Sequence, residues 1–377
     1  MEVIDVISKR VAKFRFKLFR LASLVLLGRV PGQSVIGHCT SADLEFANLA
    51  AVRNRIKARV MLSEATVQKY ELSRVPECWK VMFSRVSIFP RRFAYLLRDV
   101  VIGPESGVVF SQSSKSFAAD GIVFLPSVGH HYFYMQSGIQ ETMRRAKRIN
   151  ESLPVCPMPT IGYYHDMFEG LLNVVKATKT FGQIKVLVAT CRPRHIDEML
   201  DFLGIGADRI IYSSSPVLVK TCALIPRWND CGENLKEDIC EFRNILTSNL
   251  PYECCGSKRL YISRAKSRRP LPDEQRVEAF LATQGFVVAY FEEMSFVEQL
   301  MAIHSADVIV APHGAGLANM VVARSGTCII ELMTHDWANS CYGHLAMILG
   351  LDYTCIDANY GDVTESLNQI FVNCSRM

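Results

Sequence analysis

The residues best suited to chemistry in this 377-residue chain lie in one stretch, Ala306 to Leu332, reading ADVIVAPHGAGLANMVVARSGTCIIEL. A short β-branched run, Val308-Ile309-Val310, leads into Ala311-Pro312, and His313-Gly314-Ala315-Gly316 follows directly. The run is short, apolar and bounded by turn residues, so it reads as a buried parallel strand. The glycines let the backbone turn tightly and approach a ligand closely. Leu317 to Val322 takes up helical spacing, and a helix beginning near Gly316 points its free N–H groups and positive dipole end into the turn. Strand, glycine turn and helix start make an anion site, most often one for phosphate. Cys328-Ile329-Ile330 predicts a second strand ending on Glu331, a carboxylate that could accept from ribose hydroxyls. Read as Gly-x-Gly-x-x-Asn, the turn lacks the third glycine of the dinucleotide fingerprint. A tight strand-to-helix turn without a ligand is the alternative.

Other residues could complete such a site. Lys258 to Ile262 predicts a strand with Ser263-Arg264 at its end, and a guanidinium there can hold phosphate oxygens bidentately. Lys266, Arg268 and Arg269 follow in a cationic loop, where a solvated charge run is the competing account, favoured for Arg269. Upstream, Tyr163-Tyr164-His165-Asp166 opens a predicted helix whose apolar face is Met167, Phe168, Leu171 and Leu172. His165 has the side chain for taking a proton near neutrality, whereas Asp166 also suits a helix N-terminus for its charge alone. No pair among His304, His313, His335 and His344 has metal-ligand helix spacing beside an Asp or Cys partner, so no metal is expected.

The elements that must position these residues follow from composition and pattern. A chain with 49% hydrophobic and 21% charged residues is a globular protein, and its length suggests two to three domains. The net charge of +5 fits an anionic ligand or an acidic membrane surface better than nucleic acid. Thirteen cysteines without C-x-x-C spacing, among them the adjacent Cys254-Cys255, read as reduced and intracellular. Residues 1–33 hold a basic amphipathic segment, with Lys9, Arg10, Lys13, Arg15, Lys17 and Arg20 interleaved among apolar residues. It fits either a helix lying on anionic lipid or a solvated helix packed on its own domain, and its apolar core is too short to span a bilayer. Residues 34–226 read as an α/β domain with a covered parallel sheet, including a helix over 42–60 and strands at 121–125 and 185–189. His130-His131 reads as part of a packed edge segment. Residues 227–257 read as a helical linker, and residues 258–377 as five consecutive β-α units of a Rossmann-like domain. Ligands of such a sheet sit beyond the carboxyl ends of its strands, where Arg264, His313 and Glu331 all fall.

The segments YYHDMFEGLLNVV, YISR with its basic tail, GFVVAYFEEMSFVEQLMAIHSADVIVAPHGAGLANMVV and CIIEL resemble glycosyltransferase family 61, over roughly residues 162–356. The resemblance implies two Rossmann-like domains facing a cleft, the GT-B arrangement. It also implies metal-independent, inverting transfer from a nucleotide sugar, most often a UDP-sugar, to a glycan or other hydroxyl acceptor. Arg264 would then hold the diphosphate with Arg268 nearby. His313, Gly314, Ala315, Gly316 and Asn319 would lie on the donor side, Glu331 would face the ribose, and His165 or Asp166 would be the general base. No further cofactor is implied. The cysteine usage and the basic N-terminal segment place the chain, as an expectation, in the cytoplasm, either free or peripheral on the inner face of the cell membrane. Pro270-Leu271-Pro272-Asp273-Glu274 departs from the family's apolar pair and Asn-Glu, and a displaced helix start there would unsettle the roles of Arg268 and Arg269. Asp166 stands where bacterial members often carry tryptophan. A nicotinamide-dependent Rossmann enzyme and a catalytically silent carbohydrate- or lipid-surface binding protein are the competing readings.

Overall fold

The computed structural model describes residues 55–89, 91–105, 107, 109–111, 116–118, 146–226, 232, 234–251, 259–359 and 361–373. The basic N-terminal segment, the strand expected at 121–125, His130-His131 and Cys254-Cys255 lie outside the described residues. Among those described, no helix is long and apolar enough to cross a membrane.

The later half of the chain is a five-stranded parallel sheet. Its strands are β12 (Arg259–Ile262), β13 (Val287–Ala289), β14 (Val308–Pro312), β15 (Cys328–Met333) and β16 (Asp352–Asp357), in the spatial order β13-β12-β14-β15-β16. Every residue of β14 and β15 is buried, as expected of central parallel strands covered on both faces. Numbered within the sheet, the order is 2-1-3-4-5, and direction reverses between β12 and β14. Doubly wound sheets bind ligands at that switch point.

The earlier half differs from expectation. Strands β8 (Val155–Pro157), β9 (Lys185–Ala189) and β10 (Ile210–Ser213) do form a parallel set. They continue through β11 (Val217–Leu224) into the antiparallel β4 (Arg92–Ile102), so the sheet is mixed and not wholly parallel. The helix expected over 42–60 is corrected where the structure describes it: Ile56–Ser63 is strand β1, paired antiparallel with β4. Alternation of Ile56, Ala58 and Val60 with polar neighbours suits the edge of a sheet, and pairing with β4 outweighs local helix propensity.

Two segments cross the division by sequence position. Thr66–Tyr70 (β2) and Arg85–Phe89 (β3) form a hairpin whose long connection packs on the later half. There Tyr70 stacks on His344 at 4.1 Å and the Arg74 carbonyl accepts from the Cys355 N–H at 2.9 Å. Gly343 makes room for this strap, since a Cβ on it would lie 2.5 Å from the Phe83 ring. The helix Lys236–Ser248, in the segment read as a linker, reaches both ways. Asp238 binds Arg92 at 2.6 Å and Lys176 at 2.6 Å, while Arg243 donates to the Leu349 carbonyl at 3.2 Å. One buried apolar cluster accordingly runs through Phe83, Met158, Phe168, Phe242, Phe296 and Leu345.

Candidate functional site

Four side chains and one glycine build the carboxyl edge of the later sheet. Glu274 opens the helix Glu274–Thr283, and its buried carboxylate accepts from Leu271 N at 2.7 Å, from the Tyr261 hydroxyl and Ser263 Oγ at 3.1 Å, and from the Arg264 N–H. Asp273 before it takes φ +52°, a left-handed conformation that Asn and Asp tolerate best among side-chain-bearing residues. The departure at residues 270–274 therefore leaves a helix start at Glu274, and that helix pins the Ser263-Arg264 turn. Arg264 projects from the pinned turn. Its Nη1 donates to the His313 carbonyl and its Nε to Ser267 Oγ at 3.2 Å. Among the described residues it forms no ion pair, and burial, with Arg269 adding to the effect, lowers its pKa from the ordinary value. A half-buried guanidinium without a carboxylate is a place for an anion.

Gly314 makes that arrangement possible. Its backbone is extended, at φ 175°, so handedness is not the reason for glycine. A Cβ there would stand 2.5 Å from Arg264 Nη1 and 2.8 Å from Cζ. The helix that follows, Ala315–Val322, is 3-10 and not α. Ala315 is exposed at its start, and Gly316 lies half-buried with Phe291 and Ile262 beside it.

Glu331 turns into the protein. Its side chain is fully buried, with Oε1 2.5 Å from His313 Nδ1 and Oε2 accepting from the Tyr353 hydroxyl. Both oxygens are hydrogen-bonded within the protein, an arrangement that suits holding the His313 ring rather than receiving a ribose hydroxyl. The carboxylate orients the His313 imidazole from behind and favours hydrogen on Nδ1.

Asn319 also turns inward. It is wholly buried, accepting from the Tyr163 hydroxyl at 2.7 Å and donating to Gln299 Oε1 at 2.9 Å. Gln299 in turn donates to the carbonyls of Phe291 at 2.8 Å and Met294 at 3.1 Å. Asn319 thus joins the two halves of the molecule. Arg268 is exposed in the loop beyond Ser267, with no hydrogen bond or ion pair given to it among the described residues.

The earlier half contributes a helix over residues 163–181, which begins as Tyr163–His165, widens into a π-helical turn at Asp166–Leu171 and continues as Leu172–Phe181. Such widened turns recur at functional sites. Asp166 is completely buried there. Its Oδ1 accepts from the N–H groups of Ile161 at 2.9 Å and Gly162 at 3.2 Å, and its Oδ2 lies 2.8 Å from His195 Nε2. Both oxygens of this carboxylate are engaged within the protein, which suits an anchor of the Ile161-Gly162 turn and of His195. His165 keeps 12% side-chain exposure and sits 2.9 Å from Glu169 Oε1, one turn on.

His195 was missed by sequence reasoning. It stands in the first turn of the helix Arg194–Phe202, just beyond the carboxyl end of β9, with its ring 5.0 Å from that of Tyr163. A histidine soon after a strand as clear as Lys185–Ala189 was the available signal. Glu169 went unnoticed because i to i+4 pairing matters only once the helix is certain.

Aromatic rings connect the two halves of the site. His313 lies 5.3 Å from Tyr342, Tyr342 5.8 Å from Tyr164, and Tyr164 5.4 Å from His165. The buried Tyr342 hydroxyl has its pKa pushed well up by burial, with Cys341 adding to the effect. Arg264, His313 and His165 therefore belong to one neighbourhood, with histidine–carboxylate pairs on both sides. The arrangement can hold an anion at Arg264 and move a proton at an imidazole a few side chains away.

Comparison with known proteins bears on what this arrangement is for. The sequence model described as Glycosyltransferase 61 matches residues 47–330. The chain belongs to glycosyltransferase family 61.

The match runs from before β1 to Ile330 in β15 and contains Arg264, His313, His165 and His195. Among individual relatives, the family 61 chain is 30% identical over 82 residues to beta-1,2-xylosyltransferase RCN11 of Oryza sativa subsp. japonica, covering 21% of this chain and 15% of that protein. It is 30% identical over 96 residues to the EGF domain-specific O-linked N-acetylglucosamine transferase of Drosophila melanogaster, covering 25% and 18%. The Xenopus laevis enzyme of the same name is 34% identical over 80 residues, covering 21% and 15%. These alignments span less than a fifth of the relatives' length.

Proposed function

We propose that this family 61 glycosyltransferase moves a sugar from a nucleotide-sugar donor to a hydroxyl of a glycan or glycoconjugate, in one inverting step within a GT-B-like cleft. The observation that carries the reading is the half-buried, carboxylate-free Arg264 packed on Gly314 at the switch point of the doubly wound sheet. In this reading Arg264 and the N–H groups at the start of the 3-10 helix receive the negative charge that grows on the leaving diphosphate, without calling on a metal. His313, oriented by Glu331, lies against the nucleotide. His165, oriented by Glu169, takes the acceptor proton as the sugar bond forms on the opposite face. UDP-xylose and UDP-N-acetylglucosamine are the first donors to try, because the relatives act as xylosyl- and N-acetylglucosaminyltransferases by name.

Binding of UDP-, GDP- and CMP-sugars measured calorimetrically, with the product anomer read by NMR, tests the proposal. Saturable binding of a nucleotide sugar, lost in Arg264→Ala, together with an inverted product supports it. Binding of NAD in preference to every nucleotide sugar sinks it, and a retained anomeric configuration removes the single-step mechanism.

A further inference from the structure

Cys78, His335 and Asp357 come from three separated segments, yet their Sγ, imidazole and carboxylate ligand atoms lie within 4.8 Å of one another. His335 Nε2 is 2.8 Å from Asp357 Oδ2, and Cys78 Sγ is 3.9 Å from the same oxygen. A four-coordinate zinc ion with bonds of about 2.0–2.3 Å sets its ligand atoms roughly 3.3–3.8 Å apart. Small side-chain rotations bring this trio to that spacing. From the juxtaposition of these three side chains we infer a zinc site that clamps the strap between β2 and β3 onto the carboxyl ends of β15 and β16.

The surroundings favour a ligand set over a chance contact. Asp357 Oδ1 is occupied by the Asn359 N–H at 2.9 Å, which turns Oδ2 toward His335 and Cys78. Asn359 also accepts from the His335 N–H through Oδ1 at 2.6 Å, so one residue braces two of the three ligands. Such outer hydrogen bonds are how metal sites orient their ligands. The Trp79 ring lies 5.2 Å from the His335 ring and fixes the strap beside it. Thiolate, imidazole and carboxylate together suit zinc better than calcium or magnesium, which prefer oxygen throughout. His335 is 41% exposed, which leaves the fourth position to water. On binding, the Cys78 thiol releases its proton to solvent, the hydrogen shared by His335 Nε2 and Asp357 Oδ2 is lost from between them (leaving the neutral imidazole with hydrogen on Nδ1), and the freed sulfur, nitrogen and oxygen lone pairs form the metal bonds.

The site was invisible in sequence because Cys78 and Asp357 are 279 residues apart. It does not involve Arg264, His313 or His165, and it stands whatever the donor proves to be.

Cobalt titration of the metal-stripped full chain tests the inference. One equivalent of Co(II) is expected to give a thiolate-to-cobalt charge-transfer band, which one equivalent of zinc abolishes. Zinc is also expected to raise the melting temperature by several degrees. Cys78→Ser should lose both effects, while Cys191→Ser, which removes another exposed thiol, should keep them. If Cys78→Ser fails to fold, Asp357→Asn and the titration of the unaltered chain carry the test. Absence of a sulfur-to-cobalt band in the unaltered chain, its survival in Cys78→Ser or Asp357→Asn, or its loss in Cys191→Ser would each overturn the assignment.

Discussion

Glu331 holds His313 from the adjacent strand, its Oε1 2.5 Å from the ring Nδ1 and its side chain entirely out of solvent. Replacing the carboxylate by an amide keeps the shape and removes the charge. Hydrogen bonds to charged groups contribute about 1.5–3 kcal/mol, so Glu331→Gln should weaken donor binding or transfer by about tenfold to a hundredfold. Tyr353→Phe leaves the other carboxylate oxygen without its donor and should give a smaller loss. Unchanged kcat/KM in Glu331→Gln would show that His313 needs no orientation.

Gly314→Ala should act through Arg264. The added methyl would meet the guanidinium at 2.5 Å, and Arg264 would have to leave the His313 carbonyl. Donor affinity is expected to fall at least tenfold, an energy of about 1.4 kcal/mol, with the far-ultraviolet circular dichroism spectrum unchanged. Normal affinity would mean that the guanidinium position does not matter to the donor.

Three substitutions separate the histidines of the earlier half. General base removal typically costs about 10²–10⁴ in rate. His165→Ala should therefore lower kcat by at least about a hundredfold while sparing donor binding. His195→Ala should cost less, and Asp166→Asn should lower the melting temperature, because it disturbs a carboxylate that accepts from two backbone N–H groups and faces His195. The reverse ranking of the two histidines would make the His195–Asp166 pair the base.

Stability should depend on the buried charges that join the halves. Burial lowers the Lys176 pKa to about 8, against the pull of Asp238. Burial alone would raise Asp238, but hydrogen bonding to Arg92 and the charges of Lys176 and Arg92 outweigh it and hold the carboxyl below its ordinary value. A depressed carboxyl contributes stability that is present above pH 4 or so and lost as pH falls through its folded pKa. A depressed ammonium works the other way: it costs stability at neutral pH, and the cost is relieved as pH rises through about 8 toward the unfolded value. Asp238→Asn leaves two buried cations without their partner and should cost about 3–5 kcal/mol. Urea midpoints between pH 3 and 10 check both signs: the acid-limb fall expected of the unaltered chain should shrink in Asp238→Asn, and an unaltered chain whose midpoint stays flat there would contradict the carboxyl half.

The later sheet was legible in sequence because its strands are continuous apolar runs set between turn residues. Cys328-Ile329-Ile330 and Val308-Ile309-Val310 could hardly be anything else, and the carboxyl-end positions of Arg264 and His313 followed from topology. What sequence could not show was the direction of polar side chains. Asn319 and Glu331 lie in the right motif, yet each turns inward to a partner, Tyr163 or Tyr353, that only the fold brings near. The earlier half was less readable because its sheet mixes directions. Strand β1 carries no fully buried residue, so its alternation was weak against a background of helix-forming Ala, Arg and Lys.

The bond between Tyr163 and Asn319 sets a limit on motion. Burial pushes the Tyr163 hydroxyl well above its ordinary pKa, and it donates to the wholly buried amide of Asn319. Breaking that bond during a catalytic cycle would leave the buried Asn319 oxygen without its donor, at a cost of about 1–3 kcal/mol. A rearrangement that parts the Tyr163 helix from Asn319 carries that cost, whereas one that turns about the bond like a door on its pin avoids it.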